Sequence, residues 1–186
     1  MTQNNIRKVL SEHSVIPVVN FEDINDVEKT IEKLVEKDIH CIEITLRTPK
    51  AFECVAKAEK MNIDNFDVGI GTVVSSDQIK QATDLGVSFM VSPGINEKLA
   101  PHFEGSQIPF IPGIATPSEI ILGKQLGWDT FKFFPAHLFG GIKSLKTYGQ
   151  VFPDVKFCPT GGINEETYPS YLELQNVISV GGSWVI

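Results

Sequence analysis

Two short stretches carry charges where charges are costly. Residues 41–47 read Cys-Ile-Glu-Ile-Thr-Leu-Arg. Side chains of a strand alternate between its faces. Ile42, Ile44 and Leu46 therefore share one face, and Glu43, Thr45 and Arg47 the other. The apolar face suits packing under helices. The opposite face, if buried as well, holds a carboxylate and a guanidinium that must be paired or used. The alternative is a solvent-facing strand with a cross-strand ion pair. Residues 131–136 read Phe-Lys-Phe-Phe-Pro-Ala, and Lys132 is the only charge in this aromatic run. An inward lysine among apolar walls is desolvated, which favours the amine that attacks a carbonyl carbon. The alternative is a lysine guarding an edge strand, and a closed barrel has no edge.

Small and glycine-rich clusters recur at the ends of apolar runs: Gly69 to Thr72, Ser92-Pro93-Gly94, Pro112-Gly113, Thr160-Gly161-Gly162 and Gly181-Gly182-Ser183. Glycine lets the backbone approach a ligand, and exposed N–H groups there cradle anions. A tight turn needing positive φ explains any one cluster equally well. His13, His40, His102 and His137 show no metal-ligand spacing, so no metal site is expected. His137, just past the second stretch, reads as a surface loop residue. The chain also lacks GxGxxG, a Walker loop and GxSxG.

The elements that must hold these residues repeat. Eight apolar runs, at 15–20, 41–47, 67–73, 89–94, 109–115, 131–136, 155–162 and 178–186, start every 20–26 residues. A strand, a helix and two short loops take about that length. Between the runs lie helical patterns, clearest at 24–37, where Ile24, Val27, Ile31, Leu34 and Val35 keep helical spacing. Thr48 with Pro49 reads as a helix start. Ser75 with Gln78 and Thr116 with Glu119 read as capping boxes, with Gly86 and Gly127 as stops, and Asn164 as a further cap. Strand–helix alternation means parallel strands joined by crossovers. Eight units predict a minimal (βα)8 TIM barrel, one domain over residues 1–186 with a short N-terminal helix. The chain stops inside or just after the eighth strand, so this barrel lacks its C-terminal eighth helix; a partner or the helix around residues 6–10 would then cover strand eight. In such a barrel the site lies at the strands' C-terminal ends, with phosphate held after strands seven and eight.

Composition excludes several classes. The chain of 186 residues carries 16 Lys and Arg against 23 Asp and Glu, a net charge of −7. With only two arginines, Arg7 and Arg47, it has no basic face for nucleic acid. No apolar run approaches the ~20 residues that span a bilayer, so no membrane partner is expected, and the N-terminus does not read as a secretory signal. Cys41, Cys54 and Cys158 form no CxxC pair. They read as buried hydrophobes of a protein in the reducing cytoplasm.

The motifs taken together, from Glu43-Ile44-Thr45-Leu46-Arg47-Thr48 through Phe131-Lys132-Phe133-Phe134-Pro135-Ala136 to Gly181-Gly182-Ser183-Trp184, closely resemble the 2-keto-3-deoxy-6-phosphogluconate (KDPG) and 4-hydroxy-2-oxoglutarate (KHG) aldolases. The match covers nearly the whole chain in order. The resemblance implies a class I aldolase: a lysine Schiff base, no metal or other cofactor, a small 2-oxoacid or phosphosugar acid as substrate, and a homotrimer. Lys132 matches the Schiff-base lysine and Glu43 its acid/base. Arg47 and Thr72 match the residues that hold the pyruvate carboxylate. Thr160 matches a substrate-contacting threonine. Gly161, Gly162, Gly182 and Ser183 fall where the family binds the distal phosphate, and Phe134 and Pro93 where it lines the pocket. At Asn20 the chain departs from relatives that carry a phosphate-binding arginine. Two readings compete: an aldolase for the 6-phosphogalactonate-derived epimer, and a non-catalytic barrel that binds phosphometabolites.

Overall fold

The computed structural model describes residue 3 and residues 5–186. Strands and helices alternate: β1 (Val15–Val19), α2 (Asp26–Glu36), β2 (Cys41–Thr45), α3 (Ala51–Lys60), β3 (Asp67–Gly71), α4 (Ser76–Leu85), β4 (Phe89–Val91) and α5 (Ala100–Ser106). The order continues through β5 (Phe110–Ile111), β6 (Gly113–Ile114), α6 (Pro117–Gln125), β7 (Thr130–Phe133), α7 (Gly141–Val151), β8 (Lys156–Pro159), α8 (Tyr168–Leu172) and β9 (Val180–Gly182). A short helix α1 (Ile6–Glu12) precedes them.

All strand pairings are parallel, as the alternation requires. Six strands pair in the order β5-β4-β3-β2-β1-β9 and three in the order β6-β7-β8. The fifth apolar run thus yields two strand segments where the sequence predicts one. Pro112 lies between them, and its missing N–H interrupts the ladder; its carbonyl still accepts the Lys132 N–H at 2.9 Å. Isolated parallel bridges, Phe157 with Val177 and Thr160 with Gly181, connect the flanks of β8 and β9. The result is a curled parallel sheet of an α/β protein.

Strand alternation divides the core. Ile42 and Ile44 of β2, Met90 of β4, Phe131 and Phe133 of β7 and Phe157 of β8 pack outward with Val27, Ile31, Val55, Ile79 and Leu145 of the helices. Cys41, Phe89, Val91, Ile111 and Cys158 face the other way and form a second cluster with Ile6 and Leu10 of α1. α1 therefore does not cover the last strand, as one expectation had it. It closes the end of the curled sheet where the strands begin. Arg7 donates there to Thr130 Oγ1 at 2.8 Å and to the Asp154 carbonyl at 2.8 Å, and Gln3 Oε1 takes the Asp129 and Thr130 N–H groups. A groove of about 560 Å³ runs beside Val15, between the end of α2 and the start of α8. At its edge the Trp184 ring stacks on Tyr168, with centroids 5.6 Å apart.

Local chemistry sets the helix ends. Ser75 and Gln78 form the expected capping box on α4, as do Thr116 and Glu119 on α6. Gly86 and Gly127 take φ of +75° and +83° just past those helices, conformations glycine adopts without strain. Thr48 is not a cap: its hydroxyl donates to the Phe21 carbonyl at 2.8 Å, and α3 begins only at Ala51. Asn164 Oδ1 accepts from the Glu166 and Thr167 N–H groups, capping the turn ahead of α8 rather than the helix itself. Among the described residues no helix is long and apolar enough to cross a membrane.

Candidate active site

The alternation that buries Ile42 and Ile44 outward turns Glu43 inward, and that of β7 does the same for Lys132. The two residues are 3% and 6% exposed. Lys132 Nζ lies 3.1 Å from Glu43 Oε1 and 3.5 Å from Oε2. Its surroundings are thus not the apolar walls expected from the sequence. One side is apolar, with the Phe134 ring centroid 5.4 Å from Nζ; the other is the carboxylate. A buried amine and a buried carboxylate at this distance relieve each other's desolvation and pass protons directly.

Glycines make room for this pair rather than for a ligand. A Cβ at Gly71 would fall inside the Glu43 carboxylate, and one at Gly69 inside the Phe89 ring. Gly113, paired in register with Lys132, gives way to the Pro93 carbonyl. On the other flank of Lys132 stands Cys158. Burial pushes its thiol up to about 12, with nearby Lys132 acting in the opposite direction. This neighbour is therefore a neutral thiol. Cys41 and Cys54 are also free and buried.

The strand directions carry the site upward from the pair to a cavity of about 440 Å³. Thr45, two residues beyond Glu43, and Phe134, two beyond Lys132, both line it, as do Arg47 and Thr160. Gly161, Gly162, Gly182 and Ser183 form its far side. Gly161 and Gly162 have φ of +96° and +71°. The space a side chain at Gly162 would need is filled by His137, an exposed loop residue. At Gly182 the Trp184 ring occupies that space.

Arg47 differs from its expected setting. β2 ends at Thr45, so Arg47 stands in the following turn, exposed at the cavity mouth rather than inside the sheet. Its Nε donates to Thr72 Oγ1 at 3.2 Å. Thr72 holds φ of +64°, a conformation a β-branched residue rarely adopts. Strain of this kind persists where surrounding structure enforces it, often at functional sites. Thr72 and Pro93 do not line the cavity; Thr72 reaches it through Arg47, and Pro93 stands behind Gly113 beside Lys132. Two polar lining residues were not singled out as site residues from the sequence, Asn20 and Thr45. Thr45 shares the inward face with Glu43, and that parity was the signal available for it. Asn20 follows β1 and enters the cavity through a bond with Thr45 that depends on the pairing of β1 with β2. Among the described residues no group of three or more His, Cys, Asp or Glu side chains is arranged to hold a metal ion.

A family model described as "KDPG and KHG aldolase" matches residues 6–186. The 2-dehydro-3-deoxy-phosphogluconate aldolase of Zymomonas mobilis is 41% identical over 172 residues, covering 92% of this chain and 82% of that protein. The KHG/KDPG aldolase of Escherichia coli K12 is 38% identical over 178 residues, covering 96% and 83%. Among solved structures, the KDPG aldolase of Legionella pneumophila with pyruvate captured at low pH as a covalent carbinolamine intermediate is similar at a TM-score of 0.93 and 40% identity, covering 100% of this chain and 88% of that one.

Proposed function

The chain belongs to the KDPG and KHG aldolase family, and from that membership we propose that it is a class I aldolase that splits KDPG to pyruvate and glyceraldehyde 3-phosphate and KHG to pyruvate and glyoxylate. The observation that carries this reading is the buried Lys132–Glu43 contact of 3.1 Å beneath a cavity with Arg47 at its mouth. Lys132 Nζ attacks the C2 ketone and forms a carbinolamine, the species captured with pyruvate in the Legionella relative. Loss of water leaves a protonated imine, an electron sink next to the C3–C4 bond. A base takes the C4 hydroxyl proton, C3–C4 breaks, and the aldehyde leaves. The remaining enamine is protonated at C3, and water releases pyruvate and the free amine. Glu43 is the proton carrier for these steps.

Arg47, steadied by Thr72, holds the C1 carboxylate, since a guanidinium grips a carboxylate bidentately. Gly161, Gly162, Gly182 and Ser183 take the distal anion on backbone N–H groups. Thr160 and Phe134 contact the carbon chain, with Pro93 behind them. The same reading treats residues 1–186 as one closed (βα)8 barrel domain. The single residue between β5 and β6 and the bridges between the β8 and β9 flanks support it. It includes a homotrimer, for which the 70% and 43% exposed Leu138 and Phe139 offer apolar surface, and a cytoplasmic setting that suits three buried free thiols.

Incubation with pyruvate, borohydride reduction and peptide mapping test the reading. One reduced pyruvyl adduct on Lys132 is expected, absent in Lys132→Ala. An unmodified, folded wild-type protein would overturn it.

A further inference from the structure

One group on the inward face of β2 has no part in the steps above. Thr45 is 1% exposed, yet its side chain borders the cavity. A hydroxyl has one proton to give and lone pairs to receive with. A chain of three residues decides which way this one faces. Glu22 ends in a carboxylate, which only accepts. The Asn20 amide therefore turns Nδ2 toward Glu22 Oε1, at 2.9 Å. That leaves Asn20 Oδ1 facing Thr45, and Thr45 Oγ1 donates to it at 3.2 Å. With its proton committed, Thr45 offers the cavity only lone pairs. Arg47, the only charged lining residue, is donor-only and suited to anions; Thr45 is suited to an O–H.

Strands rise about 3.3 Å per residue, so Thr45 stands roughly 6.6 Å nearer the mouth than Glu43. Lys132 Nζ, against the Glu43 carboxylate, marks where C2 is held. The Thr45 oxygen thus lies toward the part of the substrate beyond C2, which leaves as the aldehyde.

We propose that Thr45, held as an acceptor by Asn20, receives a hydrogen bond from a hydroxyl on the aldehyde half of the substrate and so selects 2-oxo acids that are hydroxylated beyond C3. Asn20 is the positioning residue in this arrangement, and Thr45 the specificity-determining one. The proposal rests on the aldolase reading.

The test compares wild type, Thr45→Val, Thr45→Ser and Asn20→Ala on two readouts: kcat/KM for KDPG, and borohydride trapping of pyruvate on Lys132. Pyruvate has no hydroxyl to report. Thr45→Val is expected to lose about tenfold or more in kcat/KM, the scale of a site hydrogen bond left unmade, with trapping at the wild-type level. Thr45→Ser, which keeps the oxygen, is expected to recover most of the loss. Asn20→Ala frees the hydroxyl to rotate and is expected to lose less than Thr45→Val. Wild-type cleavage by Thr45→Val overturns the proposal, as does an unrescued Thr45→Ser, which assigns the loss to the methyl group. A parallel fall in trapping also overturns it, since Thr45 would then serve the imine itself. Absence of trapping in the wild type is a different failure, that of the aldolase reading.

Discussion

The Glu43 carboxylate is aimed by an empty position as much as by its partner. Gly71, its neighbour on β3 two residues from direct register, has no side chain, and the carboxylate occupies the space where a Cβ would be. Gly71→Ala therefore has to displace the carboxylate from Lys132. Misplacing a reacting group by about 1 Å costs on the order of 10²-fold in rate, and a loss of that size in kcat is expected for Gly71→Ala. The pyruvate adduct on Lys132 should then form more slowly, because the proton carrier has moved. Single-turnover trapping beside steady-state cleavage checks this, and an unchanged kcat would show that the carboxylate has room to spare. The sequence shows Gly69 and Gly71 as a cluster but reads them as space for a ligand. Nothing along one strand tells which side chain of the next strand fills a gap. Lys132 and Glu43 are legible because parity along a strand needs only that strand. Arg47 extends the same parity past the strand's last residue, where it no longer holds, and a residue expected to be buried stands in solvent. The Asn20–Thr45 bond joins two strands, so it becomes visible only with their register.

The helices that follow β3 and β6 start close to the site, and both start on side-chain caps. Ser75 Oγ accepts the Gln78 N–H while Gln78 Oε1 takes the Ser75 N–H at 3.1 Å. Thr116 and Glu119 repeat the arrangement, with Glu119 Oε2 also accepting the Ala115 N–H at 2.8 Å. Each box satisfies backbone donors that the helix cannot. Ser75→Ala and Thr116→Ala are expected to cost about 1 kcal/mol each, read as a lower denaturant midpoint at unchanged slope. The capping boxes were legible because they are set within four residues of sequence. Thr48 carries the same local signal, and α3 does not use it. Its hydroxyl instead ties the turn after β2 to the Phe21 carbonyl beyond β1, a tertiary contact that outweighs a local preference. Pro112 offers the same lesson for a strand: its effect on the ladder follows from chemistry, but whether the run continues past it depends on the neighbours.

Across the molecule the two ends of the curled sheet are built for different work. The end where the strands finish opens into the cavity; the end where they begin is closed by α1 and held by polar ties. One of these ties makes stability depend on pH. His13, in the turn from α1 to β1, places Nε2 2.7 Å from Oδ2 of Asp67, the first residue of β3. That hydrogen bond holds the Asp67 carboxyl below its ordinary value of 3.8, against the opposing effect of partial burial, with Ser88 and Lys8 adding to the lowering. A carboxyl lowered by folding binds its proton more tightly in the unfolded chain, so stability rises with pH across the interval between the two values. The contribution is complete above about pH 4 and is lost as pH falls from 3.8 through the depressed native value. Glu59 opposes it at higher pH: burial, and then the Asp67 charge, raise its carboxyl above 4.5, so its contribution declines as pH rises through that value. Asp67→Asn removes the first dependence and relaxes the second. Thermal midpoints of the variant are expected to fall less steeply than those of wild type below pH 4. Pyruvate trapping at neutral pH should match wild type, because Asp67 lies at the closed end of the sheet, away from Lys132 and Glu43. Equal acid slopes in the two proteins would mean that the α1–β1 turn is held to β3 by something other than this carboxylate.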